Sequence, residues 1–447
     1  MIEIRAIGGY GEVGKNCTAV KVDDEVVIFD MGIHLPHYIK YTEEEGENIT
    51  KLSAKALQKV EAIPDDSLIN DWRDQVQAII PSHAHLDHIG AIPYLAKKYS
   101  SAPVICTPFT AAVLKTILKD EKIDLPNQIK VLTTNGQIKL TEKLKVEFVN
   151  MTHSTPQTVA IALHTPYGVV LYATDFKMDD HPVLGKSPNY EALKRLQKQG
   201  ILVSFIDTLY ADSFSKTPCE STAKEMLRDV MLGVNSKGSA LLVTTFSSHI
   251  ARLKSIVEFG KQLKRKIVFM GRSLSKYSRA AEQVNLINFS KDVQICHYGK
   301  QVRNKLKEIQ KKPEKYLMVV TGHQGEPKSV LSRIANGDLP FKFKSQDHLI
   351  FSSIIIPTDI NRKQRAVLEK NLIEKGVRLF KDIHVSGHGA REDLRDFVNL
   401  IKSQHLIPVH SEKPKMDAFI QLAEEMGYKK GQNVHEIFNS QSLTLSP

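Results

Sequence analysis

The sequence predicts an α/β protein in two parts, a layered α/β sandwich and a parallel α/β domain set into it. Three observations predict this. Apolar strand-like runs alternate with helix-like segments along most of the chain. At 447 residues the chain exceeds what one hydrophobic core usually serves. The charge is also unevenly divided: residues 206–380 carry 31 Lys+Arg against 16 Asp+Glu, a net of +15, whereas the remainder is slightly acidic.

The elements follow in order. Residues 1–30 read as three strands, "IEIRAIGG", "CTAVKV" and "EVVIFDMG", with the turn "GEVGKN" after the first. The stretch 34–75 is polar and loop-like, with a helix expected over "KLSAKALQKVEA". From "VQAII" onward strands and helices alternate through "AIPYLAKKY", "PVICT", "TAAVLKTILKDEK", "LKVEFVNMTHS", "VAIALHT" and "VVLYATDF", a sandwich signature rather than a dinucleotide-binding one. Past residue 206 each strand is followed by a helix: "ILVSFIDT" then "STAKEMLRDVML", "SALLVTTF" then "HIARLKSIVEFGKQL", continuing to "HLIFSSIIIP" and "KQRAVLEKNLIEKG". No Gly/Ser- or Pro-rich linker separates this part, as an insertion would explain. The expected organisation is therefore 1–205 and 381–447 for the sandwich and 206–380 for the inserted domain.

Composition narrows the partners. The opening "MIEIRAIGGYGEVG" lacks the apolar core of a signal peptide, and no apolar run approaches the roughly 18–20 residues of a membrane span. Cys17, Cys106, Cys219 and Cys296 are scattered without a CxxC pair, which suits buried thiols in a reducing cytoplasm and argues against a thiolate metal site. The basic clusters "KQLKRK", "KLKEIQKKPEK" and "NRKQR" would suit solvated helix faces individually. Their concentration in one segment favours a polyanion, most simply nucleic acid. Trp72 is the only tryptophan and aromatics make up 7% of the chain, so phosphate contacts rather than stacking platforms are expected to carry that binding.

The densest chemistry is "SHAHLDHIG" at 82–90, where His83, His85, Asp87 and His88 fall within six residues after an apolar strand. His83 and His85 alternate by two and can face one ion, while Asp87 and His88 can serve a second. A polar turn of hydrogen-bonded histidines is the plainer alternative, and four ligand types so close together disfavour it. "VNMTHST" adds His153 and "LYATDFKM" adds Asp175 at strand ends, the carboxylate being able to bridge two ions. Asp30 in "VVIFDMG" is expected to orient a ligand histidine from behind. His34 and His37 could flank this site, although an exposed loop is the expectation for them.

This HxHxDH pattern with a downstream His and Asp resembles the metallo-β-lactamase fold, an αββα hydrolase, over about residues 1–205. Further on, His388 in "HVSGHGAREDL" and His410 in "LIPVHSE" resemble motifs B and C of the β-CASP nucleases, and Asp207 in "FIDTLYADSF" matches motif A. A histidine at motif C is the version of the RNA-processing members. "IGGYGEVGKN", "SHAHLDHIGA", "TGHQGEP", "SGHGAREDL" and "PVHSE" together resemble the ribonuclease J family, and the short segment after motif C suits its compact archaeal type.

The resemblance implies two zinc ions per chain, with manganese an admissible substitute. His83, His85 and His153 would hold one ion, Asp87, His88 and His410 the other, and Asp175 would bridge. It implies hydroxide attack on the scissile phosphorus, with His388 protonating the leaving 3′ oxygen or stabilising the transition state, Asp207 orienting it, and Asp87 and Asp30 supporting the centre. For 5′→3′ exonucleolytic action a 5′-monophosphate pocket is expected from Ser386, Gly387 and His388, with His323 and Gln324 behind them. The family often has Ser where this chain has His323, and both loops could equally be tight turns. The implied substrate is single-stranded RNA, no membrane partner is expected, and a homodimer is compatible with the sequence. Three rivals remain: an endonuclease of the same family, a lactamase- or thioesterase-like hydrolase of small molecules, and an inactive RNA-binding scaffold.

Overall fold

The computed structural model describes residues 1–44, 52–297, 299–356 and 358–446, so positions 45–51 of the expected 34–75 loop lie outside it. The chain forms two compact units. The first comprises Met1–Asp180, Lys186–Thr217 and Ser386–Pro447, and the second His181–Gly185 and Pro218–Val385.

The first unit is a sandwich of two sheets. One has seven strands in the order Ser442–Leu445, Ile2–Gly8, Cys17–Val22, Glu25–Phe29, Val76–Ile80, Val104–Cys106 and Ile129–Val131. The other has six: His405–Val409, Ile201–Asp207, Gly168–Ala173, Val159–Thr165, Lys145–Asn150 and Gln137–Lys139. Strand periodicity decides which side chains fill the middle. In Val159–Thr165, Val159, Ile161 and Leu163 point between the sheets, while Ala160 and Ala162 face a helical layer. Val27, Phe29, Ala78 and Ile80 meet Phe148, Tyr172 and Phe205 there, with Phe29 stacked on Tyr172 at 5.0 Å between ring centroids. The helices Tyr190–Gln199, Arg391–Ile401 and Lys413–Glu425 cover the outer face of the six-stranded sheet through Leu193, Leu196, Leu394, Phe397 and Phe419.

The second unit has one six-stranded sheet, all of it parallel, in the order Val293–Cys296, Lys266–Met270, Tyr316–Val320, Leu241–Thr244, His348–Phe351 and Arg378–Phe380. Its central strands are buried on both faces, which is why "YLMVV" and "LLVT" are unbroken apolar runs rather than alternating ones.

Several expectations are revised. "ILVSFIDT" was expected to open the inserted domain, yet Ile201–Asp207 pairs in parallel with both Gly168–Ala173 and His405–Val409 inside the first unit. The limits of the units accordingly fall at Thr217/Pro218 and Val385/Ser386 rather than at 205/206 and 380/381. "VRLFKDIHV" does not run as a strand into His388: only Arg378–Phe380 is extended, as the edge of the second sheet. Much of 34–75 is helical rather than loop, with Leu35–Glu44, Ala54–Lys59 and a 3-10 stretch Asp66–Gln75 anchored by buried Ile69 and Trp72. His34 and His37 are half-buried at the first of these helices, their rings 4.0 Å apart, and not on an exposed loop. Trp72 lies under the Arg5 guanidinium, 3.7 Å from the ring centroid, and serves packing.

Candidate active site

Site residues cluster just past the carboxyl ends of strands in both sheets of the first unit. Asp30 follows Glu25–Phe29, the 82–90 loop follows Val76–Ile80, Asp175 follows Gly168–Ala173, Asp207 ends Ile201–Asp207, and His410 follows His405–Val409. Asp30, Asp175 and His410 all take left-handed backbone conformations, with φ of 56°, 47° and 58°. Such conformations are uncommon in residues other than glycine, and here each turns the chain sharply at a strand end. Met31 N–H donates to His88 O at 2.8 Å, and the backbone at Gly32 comes so near that an added Cβ would stand 1.6 Å from Asp87 O. The ligand loop is therefore held by main chain.

The side chains converge in three groups that share Asp175. Ligand atoms of His83, His85, His153 and Asp175 lie within 4.8 Å of one another, as do those of Asp87, His88, Asp175 and His410, and those of Asp175, Asp207 and His388. His85 Nδ1 is 3.1 Å from His83 Nε2 and 3.2 Å from His153 Nε2. Asp175 places Oδ2 3.5 Å from His83 Nε2 and 3.6 Å from His153 Nε2, and Oδ1 3.2 Å from His88 Nε2 and 3.7 Å from His410 Nε2.

These residues fit a divalent metal. Four ligands at about 2.0–2.1 Å in a tetrahedron stand roughly 3.3–3.4 Å from each other, close to the nitrogen spacings seen here. Asp175 Oδ1 is buried without a properly aligned hydrogen-bond donor, the state of an atom whose partner is an ion. The nitrogens facing away from the centre rest on oxygens. His88 Nδ1 is 2.7 Å from Asp30 Oδ2, His153 Nδ1 2.7 Å from Gly387 O, and His83 Nδ1 3.0 Å from Ser82 Oγ. Asp30 in turn accepts from the N–H and hydroxyl of Ser82. Proton-bearing Nδ1 atoms leave the Nε2 lone pairs of His83 and His153 directed inward, whereas burial opposes charge on His88 but Asp175 and Asp30 outweigh it and hold its pKa well above the ordinary value.

The local electrostatics divide the histidines. Burial holds His83 and His153 well below the ordinary imidazole pKa, reinforced for each by a neighbouring histidine, and pushes His85 down to about 4. Neutral imidazole is the ligand form. Burial also opposes charge on His388, but Asp207 and Asp175 outweigh it and push its pKa up to about 9. Its Nδ1 lies 2.6 Å from Asp207 Oδ2, while its Nε2 points inward, 4.0 Å from Asp175. A charged, oriented imidazole beside a cluster of metal ligands is suited to proton donation.

The other expected residues are placed as follows. Ser386 Oγ accepts from His388 N–H at 3.0 Å, and Gly387 packs so closely on His153 that an added Cβ would be 2.8 Å from its ring. His323 and Gln324 belong to the second unit. His323 packs edge-on against Phe246. The Gln324 amide is engaged at both ends, donating to Ile354 O and accepting from Ile356 N–H, so this side chain shapes its loop instead of reaching outward. Sequence reasoning passed over Ser82 and Asn16. Both touch ligand histidines, but a Ser beside a histidine run and an Asn in a Gly-rich turn carry no distinguishing signal.

Comparison with known proteins gives the family. The ribonuclease J of Methanocaldococcus jannaschii is 42% identical over 446 residues, 99% of each chain. The chain belongs to the ribonuclease J family. The ribonuclease J of Pyrococcus abyssi is 40% identical, covering 97% of this chain and 95% of that one, and ribonuclease J 1 of Streptococcus pyogenes is 30% identical across this chain and 74% of its own length. Three family models match in succession: the metallo-beta-lactamase superfamily over residues 10–202, the ribonuclease J beta-CASP domain over 238–369, and the Zn-dependent metallo-hydrolase RNA specificity domain over 376–435. A crystal structure of an Enterococcus faecalis protein of unknown function shares the fold, with a TM-score of 0.66 at 16% identity over 99% of this chain. The fold is thus that of a metallo-β-lactamase with a β-CASP domain, and the chain is a member of a family of metal-dependent ribonucleases. Among the described residues no helix is long and apolar enough to cross a membrane.

Proposed function

We propose that this member of the ribonuclease J family degrades single-stranded RNA from the 5′ end, releasing nucleotides by two-metal hydrolysis, with zinc as the metal. The observation that carries the reading is the pair of ligand sets joined at Asp175, with the His388–Asp207 pair against them. His83, His85 and His153 form one set and Asp87, His88 and His410 the other. Bound metal would supply Lewis acidity at the scissile phosphate and an activated water at neutral pH.

The rest falls to the chain itself. Asp30 and Ser82 keep His88 and His83 in the ligand tautomer. Asp207 holds the His388 imidazolium with Nε2 inward, in position to give a proton to the departing 3′ oxygen. Ser386, Gly387 and His388 form a tight polar loop beside the ligands, which is our reason for assigning them the 5′-monophosphate. The net charge of +15 over residues 206–380 suits phosphate contacts along the strand, although Arg252, Arg265 and Arg365 are buried and serve the domain internally. The reading makes the working enzyme intracellular and leaves a homodimer open to direct measurement.

The test is digestion of end-labelled RNA bearing a 5′-monophosphate, 5′-triphosphate or 5′-hydroxyl, by wild type and by His388→Ala. Immediate release of labelled mononucleotides from the monophosphate substrate, lost in the variant, is expected. Internal fragments at equal rates for all three ends would instead establish an endonuclease.

A further inference from the structure

Every ligand histidine needs a lone pair on the nitrogen facing the metal, and therefore a partner for the proton on the other. Asp30 fills that role for His88 and Gly387 O for His153. His410 completes the second ligand set from the far end of the chain, with Nε2 facing Asp175 Oδ1 at 3.7 Å and Asp87 Oδ2 at 3.9 Å. Its Nδ1 meets the amide of Asn16, 3.1 Å from Oδ1 and 2.9 Å from Nδ2. With Nε2 reserved as an acceptor of metal, Nδ1 bears the proton, and the amide oxygen is the atom able to take it.

The same amide has a second task. Nδ2 donates to Asp87 O at 3.1 Å, and the backbone N–H of Asn16 donates to the same carbonyl at 3.0 Å. Asn16 is 1% exposed and sits in a cradle made for it: an added Cβ on Gly9 would stand 2.5 Å from Oδ1, while His410 N–H donates to Gly9 O at 2.7 Å. The opening motif "GGYGEVGKN" thereby reaches both the 82–90 loop and motif C.

We propose that Asn16 is a positioning residue for the second metal, its amide oxygen accepting the Nδ1–H of His410 and its amide nitrogen fixing the Asp87 backbone. The proposal rests on the two-set reading of the site. The same Nδ2 lies 3.0 Å from His88 Nε2, so one side chain touches all three ligands private to that set, while Asp30 holds His88 by its other nitrogen.

The test uses the full chain stripped of metal and titrated with Zn²⁺ alone, the bound zinc being counted by native mass spectrometry and affinity read by competition with a chromophoric chelator. Wild type should bind two zinc ions. Asn16→Leu should weaken one of them by about 10–100-fold, the usual effect of removing such an outer partner, and leave the other unchanged. Asn16→Asp keeps the acceptor for His410 but loses the donor to Asp87 O, and should recover only part of the loss. In a His410→Ala background Asn16→Leu should weaken zinc binding less than in wild type, because only the Asp87 contact is left to lose. Asn16→Ser, too short to reach His410, replaces the leucine variant if the latter does not fold. Unchanged affinity at both sites in Asn16→Leu or Asn16→Ser overturns the proposal, as does equal weakening of both sites or additivity with His410→Ala. A single zinc in wild type fails the two-set reading itself, and the proposal with it.

Discussion

Replacing Asp207 by Asn isolates what its charge does, because the amide can still accept from His388 Nδ1–H but cannot offset a positive imidazole. The two atoms are 2.6 Å apart, and Asp207 is buried. A charge-assisted hydrogen bond of this kind is worth about 1.5–3 kcal/mol, so its loss should lower the His388 pKa by roughly 1–2 units. The sign follows directly. At low pH the imidazole is protonated in both proteins and their cleavage rates should differ by less than about twofold. As pH rises the variant loses its proton first, and the deficit should grow to about 10–100-fold before levelling off. The assay is single-turnover cleavage of 5′-monophosphorylated RNA between about pH 6 and pH 9, with bound metal measured on the same samples. A deficit constant across this range, or one that tracks loss of metal, would refute the proton-donor role and make Asp207 a structural or ligand residue.

Chelation should abolish cleavage and Zn²⁺ should restore it, with metal analysis giving two ions per chain; activity persisting in metal-free protein would contradict the site as described. Gly32→Ala should reduce bound metal while leaving the circular dichroism spectrum nearly native, because its methyl group would lie 1.6 Å from Asp87 O and displace the ligand loop. In the second unit, buried Arg252 is held by both carboxylate oxygens of Glu220, at 2.6 and 2.9 Å, and Glu220→Ala should cost about 3–5 kcal/mol by stranding that charge, visible as a lower calorimetric midpoint. Burial opposes ionisation of Glu220, but His249 and Arg252 outweigh it and hold the carboxyl well below its usual range. Its stabilising contribution is therefore present above the ordinary carboxyl pKa and lost as pH falls through the depressed value, so wild type should lose its advantage over Glu220→Ala in acid.

Much of the site was legible because its ligands come in a dense local pattern. His83, His85, Asp87 and His88 announce themselves within six residues, and His153, Asp175 and His410 each follow an apolar run that reads as a strand. Asn16 was not legible. Its neighbours in sequence are a turn, and its functional partner His410 is 394 positions away. Gln324 shows the converse: it stands in a motif suited to phosphate binding, while its amide is engaged by Ile354 and Ile356. The expected boundary at 205/206 cuts through Ile201–Asp207, because a parallel strand followed by a helix looks the same from either side of a domain boundary.

The sequence by itself determined the α/β class, the dense His/Asp pattern at 82–90 and the basic bias of residues 206–380, since each depends on residue type and short-range spacing. Tertiary structure alone decided which nitrogen of each histidine faces inward and where the units divide. Those features arise from contacts between strand ends brought together by two sheets, and a hydrogen bond across 394 positions leaves no trace in local pattern.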